Sequence, residues 1–199
     1  MEFWQAVENR RSIRRVGKEI ALSFDEVKQT LEDALLYAPT GYNMQAGRLL
    51  LLVGQEHERF WEGTLEILKP NLDTAEKLQR TRNKLEGFKG GYGTVLSFED
   101  QEVVERLQQA MPEYADNMAE WSVVGQGMLS YVVWTGLAAR GLGVSMQHYN
   151  PLVDEMVQAN WGVPASWRLM AQLPFGKPLQ DAAPRAQQPL AGRLKIQGN

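Results

Sequence analysis

The chain has 199 residues, 44% of them hydrophobic and 23% charged, with a formal net charge of −3. That length suits one large globular domain, and the mildly acidic balance excludes the broad basic face of a nucleic-acid binder. With no cysteine, and with His57 and His148 as its two histidines, the sequence excludes disulfides, thiolate metal sites and a cysteine nucleophile, and offers no basis for a histidine-rich metal centre.

The opening residues, MEFWQAVENRR, bring in charge at once and hold no apolar stretch of a secretion signal. No apolar run approaches the ~20 residues of a membrane span, so a cytoplasmic protein without membrane contact is expected. Phe3, Trp4 and Val7 stand at helical spacing and predict a short helix that delivers the run NRRSIRR, Asn9 to Arg15, at its end. Ser23 and Glu26 form a capping box ahead of the apolar stripe Phe24, Val27, Leu31, Ala34 and Leu35. Pro39 makes helical geometry unfavourable at Ala38 and ends this second helix. RLLLLVG, Arg48 to Gly54, reads as a buried strand, and His57 to Phe88 as helical, broken near Pro70. GGYG is a turn leading into a strand over Thr94 to Phe98.

From Pro112 to Arg140 the pattern is helical and apolar nearly all round, so the helix must be covered on every side; a subunit interface is one way to do that. Gly125 and Gly127 would let a partner helix approach. ARGLG supplies a glycine stop, and VSMQHY predicts a third strand. Pro151 suits the first turn of another short helix, and WRLMAQLPFG predicts a fourth strand ending at Pro174. The tail from Lys177 reads as an extended arm. Helices alternate irregularly with about four strands and no linker divides them, which predicts one α+β domain over residues 1–199.

The arginine run, taken with Arg193 and Lys195 near the other terminus, is either two solvated surface patches or a cage for one terminal phosphate, completed by the Ser12 hydroxyl. In APTGYNMQ, Ala38 to Gln45, the amides of Asn43 and Gln45 could bond the edge of a heteroaromatic ring; the same residues also make an ordinary helix-exit turn. His148 is a substrate contact or a packed, hydrogen-bonded residue. Trp121, Tyr131 and Trp134 line a flat-ligand pocket or belong to the core. GLGVSMQHY lacks the G-x-G-x-x-G spacing and follows a helix, and GGYG lacks the Lys-Ser/Thr of a phosphate loop; neither is a nucleotide motif. With no nucleophile triad or paired catalytic carboxylates, any catalysis would rest on a cofactor.

The ordered set RRSIR, APTGYNMQ, GLGVSMQHYNP, PFGKP and a late RLK resembles the FMN-dependent nitroreductases over nearly the whole chain. GYGTVLSFED, WSVVGQGM, VWTGL, MQHYNPLVD and AQLPFGKP resemble the subgroup typified by a yeast fatty-acid-repression-mutant protein and a bacterial copper-induced nitroreductase. The resemblance implies an α+β sandwich, a small mixed sheet flanked by helices, in an intertwined homodimer with FMN between the subunits. It implies that Arg10, Arg11, Ser12 and Arg14 hold the FMN phosphate and ribityl chain, joined by Arg193 and Lys195. Pro39, Thr40, Gly41 and Asn43 match the loop that reaches the flavin from the partner subunit, with Gln45 close by. Ser145, Met146, Gln147 and His148 match the segment along the isoalloxazine. SMQH stands where better-known bacterial relatives have a Pro-x-Glu-Gly segment, and Lys84 and Lys89 are both candidates for the family's mid-chain lysine.

The implied activity is ping-pong exchange: NADH or NADPH reduces the flavin, which then reduces a flat nitroaromatic or quinone acceptor, with Trp121 and His148 as possible substrate contacts. No residue of the chain itself is expected to be catalytic in the chemical step. An alternative with the same residues is a flavin-binding redox-sensing or regulatory protein with little turnover. A helical interaction module that uses its arginines on an anionic partner would instead be colourless.

Overall fold

The computed structural model describes residues 2–198. In chain order its elements are α1 (Phe3–Asn9), β1 (Val16–Gly17), α2 (Phe24–Tyr37), β2 (Gly47–Val53), α3 (Gly54–Leu68), α4 (Ala75–Lys89), β3 (Gly93–Asp100), α5 (Gln101–Ala110), α6 (Ala115–Ala139), β4 (Gly143–Val144), α7 (Asp154–Trp161) and β5 (Trp167–Pro178). The strands order β1-β5-β3-β2, with β4 also on β5. All pairings between these strands are antiparallel; the isolated bridge Ser12–Val144 is parallel. Among the described residues, no helix is long and apolar enough to cross a membrane.

β3 is buried along its whole length, because successive side chains enter different layers. Val95 joins a core with α2 and α6, through Leu31, Leu129 and Leu137. Leu96 joins a second core with Phe60 and Trp61 of α3, Phe88 of α4 and Val157 of α7. The result is a helix–sheet–helix sandwich. α2 begins where expected: Ser23 and Glu26 satisfy each other's backbone N–H groups, and Pro39 stops the helix at Tyr37.

Some expectations are corrected. The predicted fourth strand does not stop at Pro174 but continues to Pro178, because its second half pairs with β1 and β4 as well as β3. At Gly176 a Cβ would lie 2.3 Å from the Gly17 carbonyl oxygen, so this close strand crossing requires glycine. The predicted third strand shrinks to Gly143–Val144. The backbone keeps its register along β5, with Ser145 donating to Pro174 O and Gln147 paired with Gln172, but proline returns no N–H and the ladder is broken there. Pro151 does not open α7, which starts at Asp154; the Asn150–Pro151 bond is cis. α5 is not expected from the sequence pattern, because its buried Val103 and Val104 recur only at Leu107 on a helix of 10 residues.

His57 lies in the second core, its Nε2–H directed at the Lys89 carbonyl and its Nδ1 2.8 Å from the Thr94 hydroxyl, which also accepts from Trp61 Nε1. Burial pushes its pKa down to about 4. The folded state holds the ring neutral while the unfolded chain protonates it near pH 6.5, so stability is full above that pH and declines toward pH 4. The expected loss from this residue is about 3 kcal/mol, read by denaturant unfolding across pH 7.5 to 4 in the wild type and His57→Gln. An equal pH dependence in both proteins would contradict the assignment.

Candidate functional site

The arginine run lies alongside β4. Ile13 N donates to Val144 O at 2.9 Å, and Ser12 bridges Val144, so the backbone of the run is fixed while its cations project. The Arg10 guanidinium stacks 4.4 Å from the centre of the Trp134 ring on α6. Partial burial depresses its pKa; Tyr131 opposes this, while Arg185 and Arg11 push the same way as burial. Arg11 donates to the Ala183 carbonyl of the tail. Among the described residues, Arg10, Arg11 and Arg14 form no ion pair with a carboxylate. Trp134 Nε1, on the ring beneath Arg10, is buried without a partner. Such a cluster of like charge beside an unpaired donor is chemically suited to an anion.

α4 approaches the same run closely, since a Cβ on Gly87 would lie 2.9 Å from Arg14 O. The structure separates the two mid-chain lysines. Lys89 is engaged by Glu62 and Glu86, whereas Lys84 lies over the rings of Tyr149 and Phe88, with burial first and Arg14 second lowering its pKa.

Ser145 to His148 close the same end. Their pairing with β5 turns the backbone N–H groups of Ser145 and Gln147 inward, and both side chains are buried, with Gln147 Nε2 donating to Ser145 Oγ at 3.2 Å. The alternation of an antiparallel ladder leaves the N–H groups of Met146 and His148 facing outward, and the His148 side chain is exposed.

The loop after α2 sits elsewhere. Tyr42, Asn43 and Gln45 all hold φ near +50°, a conformation costly for non-glycine residues. It is held by the Thr40 hydroxyl accepting from Gln45 N, and by Arg48, which donates to Gln45 O and Gly47 O and pairs with Asp100 at 2.8 Å. Gly41 packs where a Cβ would meet Trp121 Cβ at 2.9 Å, and Tyr42 stacks on Trp121 with centroids 5.4 Å apart. Tyr114 completes an aromatic surface.

The predicted residues therefore form two groups in one protomer. Arg10, Arg11, Ser12, Arg14 and the 145–148 segment gather at the Trp134 end of α6; Thr40, Gly41, Asn43 and Gln45, next to Pro39, gather at its Trp121 end. With ~1.5 Å per residue, these ends are roughly 20 Å apart along the helix. Arg193 donates to Gln188 O within the exposed tail and lines one hollow with Arg185, and Lys195 is also exposed. The tail cation near Arg10 is Arg185, which spacing alone did not single out.

The family model described as "Nitroreductase family" matches residues 7–177, and the chain belongs to that family. It is 30% identical to the nitroreductase FRM2 of Saccharomyces cerevisiae over 178 residues, 88% of each chain. The nitroreductase CinD from Lactococcus lactis, solved in complex with chloramphenicol, superposes with a TM-score of 0.91 at 39% identity, covering 99% of this chain and 100% of that one. CinD has also been solved with nicotinic acid and with 4-nitrophenol. A nitroreductase-fold protein from Exiguobacterium sibiricum, 17% identical with a TM-score of 0.74 over 99% of this chain and 98% of that one, is solved with FMN.

Asp100→Ala should leave Arg48 partly buried without its carboxylate and release the loop from below. The expected cost is about 2–4 kcal/mol, seen as a lower denaturation midpoint, with Ser23→Ala as a modest comparison. An unchanged midpoint would remove Arg48 and Asp100 as the loop's anchor.

Proposed function

We propose that residues 1–199 act as one FMN-binding domain of a homodimeric, cytoplasmic oxidoreductase. It takes reducing equivalents from NADH or NADPH and passes them to flat nitroaromatic or quinone acceptors in two half-reactions at one site. The observation that carries this reading is the division of the site between the two ends of α6. The exposed Gly127 lies midway, with open space beyond its Cβ position. A two-fold axis there, with the helices antiparallel, sets the arginine end of one protomer against the loop end of the other. The same axis covers Val123, Val124 and Tyr131, which are 46%, 55% and 38% exposed in one protomer.

The residues present fit FMN. Arg10, Arg11, Ser12 and Arg14 would hold its phosphate and ribityl chain, with Arg193 and Lys195 of the tail joining them in the assembled dimer. Ser145 to His148 would line one edge of the ring, the outward N–H groups of Met146 and His148 meeting the negative charge that reduction adds. Pro39, Thr40, Gly41 and Asn43 of the partner subunit would cover it, with Gln45 of the partner subunit close by. Bound FMN supplies the hydride-accepting and hydride-donating centre. Trp121 and Tyr42 then offer an aromatic surface that orients a flat acceptor, and His148 an exposed polar group. The CinD complexes with aromatic ligands support an acceptor of that shape.

The purified protein should show flavin absorption bands that bleach on anaerobic addition of NADPH and return with a nitroaromatic acceptor. A colourless protein that does not take up FMN would overturn the reading, and a flavoprotein without NADH or NADPH turnover would overturn its enzymatic part. Arg14→Ala should weaken FMN binding by about 2–5 kcal/mol in a fluorescence titration; full affinity would reject the phosphate assignment. Val124→Glu should yield monomers by light scattering and lose flavin with the partner. A monomer retaining wild-type flavin affinity would contradict the shared site.

A further inference from the structure

We propose that Gln172, at the centre of β5, is a positioning residue that holds the His148 backbone N–H outward and so sets the reduction potential of the flavin. The proposal rests on the flavin reading above. Gln172 is fully buried, 0% exposed, and lies behind the 145–148 segment.

Gln147 and Gln172 exchange both backbone bonds, at 2.8 and 3.0 Å. In a trans peptide the C=O and the following N–H point opposite ways, so Gln147 O turned toward Gln172 N sends the His148 N–H outward. A regular antiparallel ladder would next set Tyr149 opposite Met170. β5 instead carries Met170 as an extra residue where its register against β3 shifts, and a bulge of this kind interrupts regular pairing. The Tyr149 N–H turns to the Gln172 side chain, donating to Oε1 at 2.7 Å, and Gln172 Nε2 donates to Asn150 Oδ1 at 3.2 Å. The side-chain carbonyl thus stands in for a ladder carbonyl. His148 is held on both sides by one residue, through its backbone at Gln147 and through its side chain at Tyr149. Donors fixed before charge develops stabilise that charge without reorganising. Loosening the peptide after His148 therefore disfavours the reduced ring, while the arginines keep their hold on the phosphate.

The test is the midpoint potential of flavin in the purified dimer carrying Gln172→Met, which keeps the side-chain length but makes neither bond. The potential should fall by about 30 mV, a tenfold loss of affinity for reduced over oxidised flavin in a two-electron couple. The Tyr149 amide should also exchange its hydrogen roughly tenfold faster, because its bond is gone. Asn150→Ala removes one of the two bonds and should shift the potential the same way by less. Adding it to Gln172→Met should change little more, since both act through one contact. Val157→Ala, which opens the second core, should lower Tm without moving the potential. An unmoved potential, an unchanged Tyr149 exchange rate, or an equal fall in Val157→Ala would each overturn the proposal. If Gln172→Met does not fold, Asn150→Ala with wild-type potential and exchange overturns it as well. A protein that takes up no FMN overturns the functional reading itself, whereas a flavin-bound Gln172→Met with wild-type potential overturns the positioning role alone.

Discussion

A helix that is apolar on nearly every side cannot be covered by one layer of its own chain. α6 runs for 25 residues and buries Leu129, Val133 and Leu137 against the sheet and α2, and Met118 against α5. Its outer side still carries Val123, Val124 and Tyr131, with further exposed apolar groups nearby on α1 and α2, including Trp4 and Leu36. A patch of this kind calls for a partner surface. In the proposed dimer the division of the site follows from the same helix, because each end of α6 organises one group of polar residues and the partner would bring the two groups together. Covering the helix and completing the site are, in this account, one event.

The arginine end carries a second constraint. Cations brought together and partly desolvated repel one another, and here Arg10 sits beside Arg11 and Arg185 with Trp134 beneath it. The fold fixes the backbone of this run through β4 rather than neutralising its side chains. That arrangement is costly in a free protomer and becomes favourable when an anion supplies the opposite charge. The loop end stores its own unfavourable geometry at Tyr42, Asn43 and Gln45, held by Thr40 and by the Arg48–Asp100 pair. Strained backbone and crowded charge coincide with the residues that the family pattern marks.

Much of the fold was legible because local physics decided it. Ser23, Glu26 and Pro39 bound α2 through capping and steric exclusion, and β2 and β3 are short runs flanked by glycine and turn residues. The ends of β5 and the shortness of β4 were not legible, because they depend on which neighbour Pro174 meets and on a tertiary pairing at Gly176. α5 escaped because a ten-residue helix beginning directly after a strand leaves only one apolar repeat to read. In the site, the arginine run, the loop and the 145–148 segment could be picked out by motif. Lys84 and Lys89 could not be told apart without seeing that Glu62 and Glu86 occupy one of them. Nor could Arg185 be picked out as a cation near Arg10, since the path of an exposed tail is set by remote contacts such as Arg11 with Ala183.

The claim that the two ends of α6 complete each other across subunits is tested most directly by complementation. One variant carries Arg14→Ala; the other has residues 39–43 replaced by glycine. Each alone should bind FMN poorly, since each homodimer lacks one group at both sites. After the two are mixed, unfolded and refolded together, the heterodimer joins one intact arginine group to one intact loop, and flavin binding should return at one site per heterodimer. If heterodimers form and flavin binding stays at the level of the separate variants, the site is not shared in this way and the account fails.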